Sequence, residues 1–138
     1  MKKVMVFGTF DIVHLGHLNL FKQAHKLGDC LVVVVARDKT SKNVKNIVLV
    51  NNEKERLEFL KNIILVDQAV LGNKIDYYKI IKTEKPDVIA LGYDQQNFID
   101  KLEEKIKEFG LNTKVVRLKS YKPEKHKSGK IRQKISKM

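Results

Sequence analysis

Apolar and polar positions along the chain change period repeatedly, and the changes predict strands and helices in turn. Continuous apolar runs predict strands at residues 3–7 and 30–36, and the second run is mostly β-branched, as in a strand covered on both faces. Between them, apolar residues recur at helical spacing and predict a helix over 17–27, which Gly28 ends. Strand, helix and strand in this order predict a βαβ unit of a parallel sheet.

The same alternation continues through the rest of the chain. The further predicted elements are a helix at 53–63, a strand at 68–71, a helix at 75–84, a strand at 88–91, a helix beginning near 97, a strand at 113–118 and a short basic helix at the end. The pattern predicts a three-layer α/β/α, Rossmann-like fold with a central parallel sheet. A length of 138 residues fits one domain spanning 1–138.

The first strand leads into the first helix through Gly-Thr-Phe-Asp at 8–11 and His-Leu-Gly-His at 14–17. Ligands of parallel sheets bind beyond the carboxyl ends of the strands, and the first turn of a helix offers free N–H groups to an anion. His14 and His17 are three residues apart across Gly16, so both imidazoles can face one concavity. We interpret them as groups that stabilise charge on a phosphorus under attack, with a purely structural role as the alternative.

These two strings resemble the signature of the cytidylyltransferase-like nucleotidyltransferases. The resemblance implies transfer of a nucleotidyl group from a nucleoside triphosphate to a phosphorylated acceptor, with release of pyrophosphate. It also implies that His14 and His17 are the transition-state stabilisers. The residues that would bind the nucleotide here are Thr9, Phe10, His14, Leu15, Gly16 and His17.

Two further strings resemble the archaeal FAD synthase branch of that family: Val-Val-Ala-Arg-Asp-Lys-Thr at 34–40 and Leu-Gly-Tyr-Asp-Gln at 91–95. The resemblance assigns nucleotide contacts to Asp94, Tyr121 and Ser128, and Arg56 is expected to hold phosphate. Lys42 lies in a cationic loop that is positioned to hold a second phosphate. The alternatives are a helix cap for Asp94 and plain surface positions for Lys42 and Tyr121.

Three departures from the relatives distinguish this chain. Glycerol-3-phosphate cytidylyltransferases have Arg-Tyr-Val-Asp where this chain has Ile-Leu-Val-Asp at 64–67, which disfavours that activity. Gly129 follows Ser128 where relatives have a second hydroxyl residue, and cysteines that archaeal FAD synthases carry near the end are missing.

Composition limits the compartment and the partners. One cysteine, Cys30, and no apolar run of membrane-spanning length indicate neither disulfides nor a transmembrane helix, and the start of the chain has no cleavage-site pattern. We therefore expect a cytoplasmic protein without a membrane partner. The net charge of +12 attracts polyanions, but nucleotides satisfy it as well as nucleic acid does. Because aromatic residues do not interleave the basic tail, no nucleic-acid partner is expected.

The combined prediction is an FMN adenylyltransferase that joins ATP and FMN to give FAD and pyrophosphate. A divalent ion, Mg²⁺ by preference, would bridge phosphate oxygens, and no side chain is assigned as its ligand. The first alternative is a cytidylyltransferase acting on a small alcohol phosphate such as glycerol 3-phosphate. The second, of another class, is a basic RNA-binding module. The resemblance also implies a homodimer.

Overall fold

A computed structural model describes residues 1–39, 49–93, 95 and 101–119, called the described part of the chain below. Five strands and four helices lie wholly within that part. They are β1 (Lys3–Gly8), α1 (Leu15–His25), β2 (Cys30–Val35), α2 (Glu53–Lys61), β3 (Gln68–Leu71), α3 (Lys79–Glu84), β4 (Val88–Leu91), α4 (Leu102–Glu108) and β5 (Lys114–Arg117).

The five strands form one sheet in the order β3-β2-β1-β4-β5. Every neighbouring pair is parallel, and β1 pairs with β2 over its whole length, from Lys3 opposite Cys30 to Gly8 opposite Val35. The predicted central parallel sheet is therefore confirmed. All carboxyl ends meet at one edge of the sheet, where β1 leads into α1 and β2 leads towards α2.

Alternate residues of the central strands enter two separate cores, because successive side chains of a strand point to opposite faces. Val33 and Val35 of β2 pack with Phe21 of α1 and Leu60 of α2 on one face. On the other face Val32 and Val34 pack with residues that α3 and α4 contribute, Ile81, Leu102 and Ile106. Helices thus cover both faces, which confirms the three-layer prediction and explains the uninterrupted apolar run of β2.

The turn from α1 to β2 requires a glycine. A Cβ on Gly28 would lie 2.7 Å from the backbone oxygen of Lys2, too close for any side chain. Next to it, the backbone N–H of Asp29 donates to the same Lys2 oxygen at 2.7 Å. This close approach of the two backbones starts the pairing of β1 with β2.

The prediction that a helix begins at residue 75 was wrong by four residues. The Asn73 side-chain oxygen accepts from the N–H groups of Ile75 and Asp76, and the Asp76 carboxylate accepts from Tyr78 N–H. These bonds close two local turns over residues 73–78, and the regular helix α3 begins only after them, at Lys79.

Candidate active site

The first helix begins with a pair of hydrogen bonds that both use imidazole rings. His14 is the N-cap, and its Nδ1 accepts from the backbone N–H of Gly16 at 3.0 Å. In return, Nδ1 of His17 accepts from the backbone N–H of His14 at 3.2 Å. This reciprocal arrangement is a capping box, in which Ser or Thr and Glu or Gln usually take these two places.

The capping box brings the two rings together. Their centroids are 4.1 Å apart with a tilt of 37°, and both residues are half-buried. The structure therefore places His14 and His17 on the same side of the helix start, as the spacing predicted. Because Nδ1 of each ring accepts a backbone N–H, a neutral ring carries its proton on Nε2. Each neutral imidazole can thus donate from Nε2 to an oxygen of a ligand.

The electrostatics of this helix start favour an anion. The first turn of α1 contains no acidic residue, whereas its last turn carries Lys22 and His25. The positive end of the helix dipole is therefore not compensated by a carboxylate of the helix itself. The uncompensated dipole and the two imidazoles together form an arrangement suited to phosphate.

The turn from β1 into α1, residues 8–17, is called the corner below. The other residues predicted to bind nucleotide at this corner differ in how exposed they are. Thr9 and Phe10 are buried, with 7% and 6% of their surface exposed, whereas Leu15 is 54% exposed at the first turn of α1. Gly16 is half-buried and donates to the N-cap ring. Leu15 is open to solvent, whereas the Phe10 ring packs against the His17 ring with centroids 5.5 Å apart, and the nucleotide contacts of these residues stay predictions.

Arg56 is expected from the resemblance to hold phosphate, and that contact stays a prediction. In the structure its side chain has no exposed surface, and its donors bond to protein oxygens of Thr9, Asn51 and Asp38. The other four predicted site residues, Lys42, Asp94, Tyr121 and Ser128, lie outside the described part of the chain.

The sequence did not predict which residues anchor the corner to the segment before α2. The Asp11 carboxylate accepts from the backbone N–H groups of Val50 and Asn51, each at 2.7 Å, and Asn51 Nδ2 donates to the Asp11 backbone oxygen at 2.7 Å. Asp11 belongs to the Gly-Thr-Phe-Asp string, which was the available signal. Nothing local in the sequence connects it to a segment 40 residues later.

A cavity of about 400 Å³ opens at the same edge of the sheet, beyond the end of β3. Its lining combines three cationic side chains, Arg37, Lys74 and Lys79, with apolar ones such as Leu71 and Ile80. It lies on the α3 side of the sheet, whereas α1 packs on the opposite face.

The described part of the chain contains neither a cluster of metal-ligating side chains nor a membrane-spanning helix. No group of three or more His, Cys, Asp or Glu residues there could hold a metal ion. No helix among those residues is both long and apolar enough to span a membrane.

The parallel sheet, its carboxyl-edge corner and the paired imidazoles define a nucleotide-phosphate-binding α/β domain. Residues 5–134 match the cytidylyltransferase-like family model. The chain belongs to this family.

Its relatives include two archaeal proteins named FAD synthase. The one from Thermoplasma volcanium is 43% identical over 135 residues, which span 98% of this chain and 94% of the relative. The one from Picrophilus torridus is 39% identical over 96% of this chain and 95% of its own length. A crystal structure of a Thermoplasma volcanium protein named for lipopolysaccharide core biosynthesis superposes with a TM-score of 0.82, is 44% identical, and matches over 88% of this chain and 98% of its own.

Proposed function

We propose that the chain is an FMN adenylyltransferase, which transfers AMP from ATP to FMN and releases pyrophosphate. The observation that carries the proposal is the likeness to proteins named FAD synthase over almost the whole chain, at 39% to 43% identity in the two relatives described above. The paired imidazoles at the start of α1 supply a site for the chemistry that this name implies.

The proposed reaction is an in-line displacement at the α-phosphorus of ATP. An oxygen of the FMN phosphate attacks, the bond from the α-phosphorus to the bridging oxygen breaks, and pyrophosphate leaves with that electron pair. The Nε2–H groups of His14 and His17 donate to phosphoryl oxygens as charge builds on them, and the N–H groups of α1 add to the same field. No protein nucleophile takes part.

A divalent ion, Mg²⁺ by preference, is part of the proposal as a partner of ATP. The carboxylates nearest the corner are already engaged: Asp11 accepts two backbone N–H groups, and Asp38 pairs with Arg56. No group of three or more His, Cys, Asp or Glu among the described residues could hold a metal ion, so we assign the ion to phosphate oxygens, where Mg²⁺ commonly binds.

A pyrophosphate-release screen tests the proposal. Purified protein is incubated with ATP or CTP and with FMN, glycerol 3-phosphate or another alcohol phosphate, and FAD is quantified separately. Only the combination of ATP with FMN should release pyrophosphate, and it should yield FAD. The matched control is the double variant His14→Asn, His17→Gln, which keeps side chains able to cap α1 and removes both imidazoles. Activity of the same size in this variant would remove the role proposed for the two imidazoles.

The two alternatives give different results in the same preparation. Pyrophosphate release from CTP with glycerol 3-phosphate, and none with FMN, would replace the proposed activity by the cytidylyl one. Salt-dependent RNA binding that survives in the double variant, without any turnover, would support the RNA-binding module. A single domain over 1–138, a homodimer and a cytoplasmic location stay predictions, which sedimentation, limited proteolysis and fractionation would test.

A further inference from the structure

The loop between β1 and α1 holds an unfavourable backbone conformation. Phe10 has φ of +53°, in the left-handed region that bulky side chains rarely adopt. Such a conformation persists only where the surroundings impose it, and it is found often at functional sites. The contacts that impose it here therefore bear on the histidines that follow.

One segment, residues 50–56, makes the described contacts to this loop on both sides of Phe10. Arg56 Nη1 donates to the backbone oxygen of Thr9 at 2.7 Å in a fully buried hydrogen bond. On the other side, Asp11 bonds to Val50 and Asn51 through three hydrogen bonds of 2.7 Å. Phe10 is thus held between two anchors from the same segment.

Arg56 is itself fixed by its planar fork. Nη2 donates to the Asp38 carboxylate at 2.7 Å and Nε donates to the Asn51 backbone oxygen at 3.3 Å. The residue is 1% exposed. A lysine at this position keeps the charge but cannot reproduce three donors in one plane.

The Phe10 ring connects the anchored loop to the His17 ring. Its centroid is 5.5 Å from that of the His17 ring, edge to face, and 5.5 Å from that of Phe21 in the core. A Cβ on Gly8 would lie 2.6 Å from the tip of the ring, so Gly8 provides the space that the ring occupies. A change in the backbone at residue 10 would move this ring and its contact with His17.

We propose that Arg56 is a positioning residue for His17, acting through the Thr9 oxygen and the Phe10 ring rather than through contact with phosphate. The guanidinium keeps Phe10 in its left-handed conformation, and the ring keeps the imidazole beside that of His14. The effect on turnover rests on the proposed adenylyl transfer, whereas the effect on the His17 ring does not.

The test compares Arg56→Lys with Lys3→Gln. Lys3 is the control because its partly buried Nζ donates to the backbone oxygen and to the carboxylate of Glu84, at the amino edge of the sheet, away from the loop. At a temperature well below either midpoint of unfolding, Arg56→Lys should lower kcat by about tenfold to a hundredfold. KM for ATP should change less than threefold, and Lys3→Gln should leave both within twofold.

A readout without substrate separates this inference from the proposed function. The His17 ring lies beside the Phe10 ring, so the NMR shifts of its protons should move towards those of an isolated histidine in Arg56→Lys and stay in place in Lys3→Gln. This NMR comparison tests the positioning role of Arg56 even if the wild-type protein makes no FAD. Unchanged His17 signals in Arg56→Lys would overturn the proposal.

A second variant covers the case in which Arg56→Lys does not fold. Phe10→Leu keeps an apolar side chain and the Thr9 hydrogen bond, but removes the ring. It should lower kcat by about tenfold or more while KM for ATP changes less than threefold. A wild-type kcat in a folded Phe10→Leu protein would overturn the proposal as well.

Discussion

Helices α1 and α2 begin with the same hydrogen-bond pattern, but different residues make it. In α2 the Asn52 side chain accepts from Glu55 N–H at 2.9 Å, and the Glu55 carboxylate accepts from Asn52 N–H at 3.0 Å. In α1 the corresponding positions are His14 and His17. Asn and Glu are among the preferred residues at these positions, whereas histidine is not.

The two helix starts also differ in charge. The first turn of α2 contains Glu53 and Glu55, which compensate the helix dipole, and the first turn of α1 contains no acid. The start of α2 therefore stabilises the helix, while the start of α1 leaves its field available to a bound anion. A sequence departs from the preferred local choice where function requires another residue.

Giving α1 the kind of start that α2 has should produce the largest effect. His17→Glu completes an acidic capping box and compensates the dipole, so helix stability should stay equal or rise by about 0.3–1 kcal/mol. The added carboxylate repels phosphate and one imidazole is lost, so FAD formation should fall by about a thousandfold or more. Melting curves and initial rates on the same samples measure both. A clear loss of stability in His17→Glu would contradict the view that α1 and α2 begin with equivalent capping boxes.

Weakening the start of α2 should have the opposite profile. Asn52→Ala removes the cap and should lower the free energy of unfolding by about 0.5–2 kcal/mol, while Asn52→Ser restores a capping oxygen. Urea unfolding measures the difference. Turnover with saturating ATP and FMN should stay within twofold in both variants. A selective loss of turnover in the alanine variant would show that the Asn52 cap, and not only Arg56, supports the site.

The acid side of the stability profile depends on α2 as well. Partial burial raises the pKa of Glu53, but hydrogen bonds from Asp38 N–H and Arg37 outweigh it, so this pKa lies below its ordinary value of 4.5. A lowered folded pKa adds stability above the unfolded pKa, and that stability is lost as pH falls through the folded pKa. Glu53→Gln should therefore destabilise the protein at pH 7 and progressively less below about pH 4.5. An equal difference at pH 7 and pH 3 would contradict this.

The opposite edge of the sheet should show the smallest effect. Cys30 begins β2, at the amino ends of the strands. Burial of the thiol, with the nearby Asp67 carboxylate, raises its pKa, so little reactive thiolate forms at neutral pH. Cys30→Ala should leave turnover within twofold, and a thiol reagent at pH 7 should inactivate the wild type slowly. Rapid inactivation that this substitution abolishes would connect the thiol to the site.

Most of the fold could be predicted because its signals are local. The apolar runs of β2, β3 and β4 are bounded by turn residues, and the structure agrees with the predicted bounds to within one residue. The early start predicted for α3 was wrong because the turns at Asn73 and Asp76 cannot be distinguished by pattern from a helix cap.

The site could be predicted only as far as it is contiguous. His14 and His17 stand in one string, and their meeting follows from helix geometry. The contact of Arg56 with the Thr9 oxygen joins residues 47 apart, and no local rule connects them. The resemblance named Arg56 as a phosphate contact, which stays a prediction, and only the packing of α2 against the β1–α1 loop shows what its side chain touches in the structure.

The most direct test of the account asks whether His17 affects kcat or the Kd for ATP. His17→Gln keeps a side chain that can complete the capping box and removes one imidazole. Stopped-flow or quench-flow single turnovers with FMN, together with equilibrium binding of ATP, would give kcat and Kd separately. If the imidazole acts on the transition state, kcat should fall by about 10²- to 10³-fold while Kd for ATP changes less than threefold. An unchanged kcat with a Kd weakened in proportion to the loss in kcat/KM would show that His17 only binds the nucleotide.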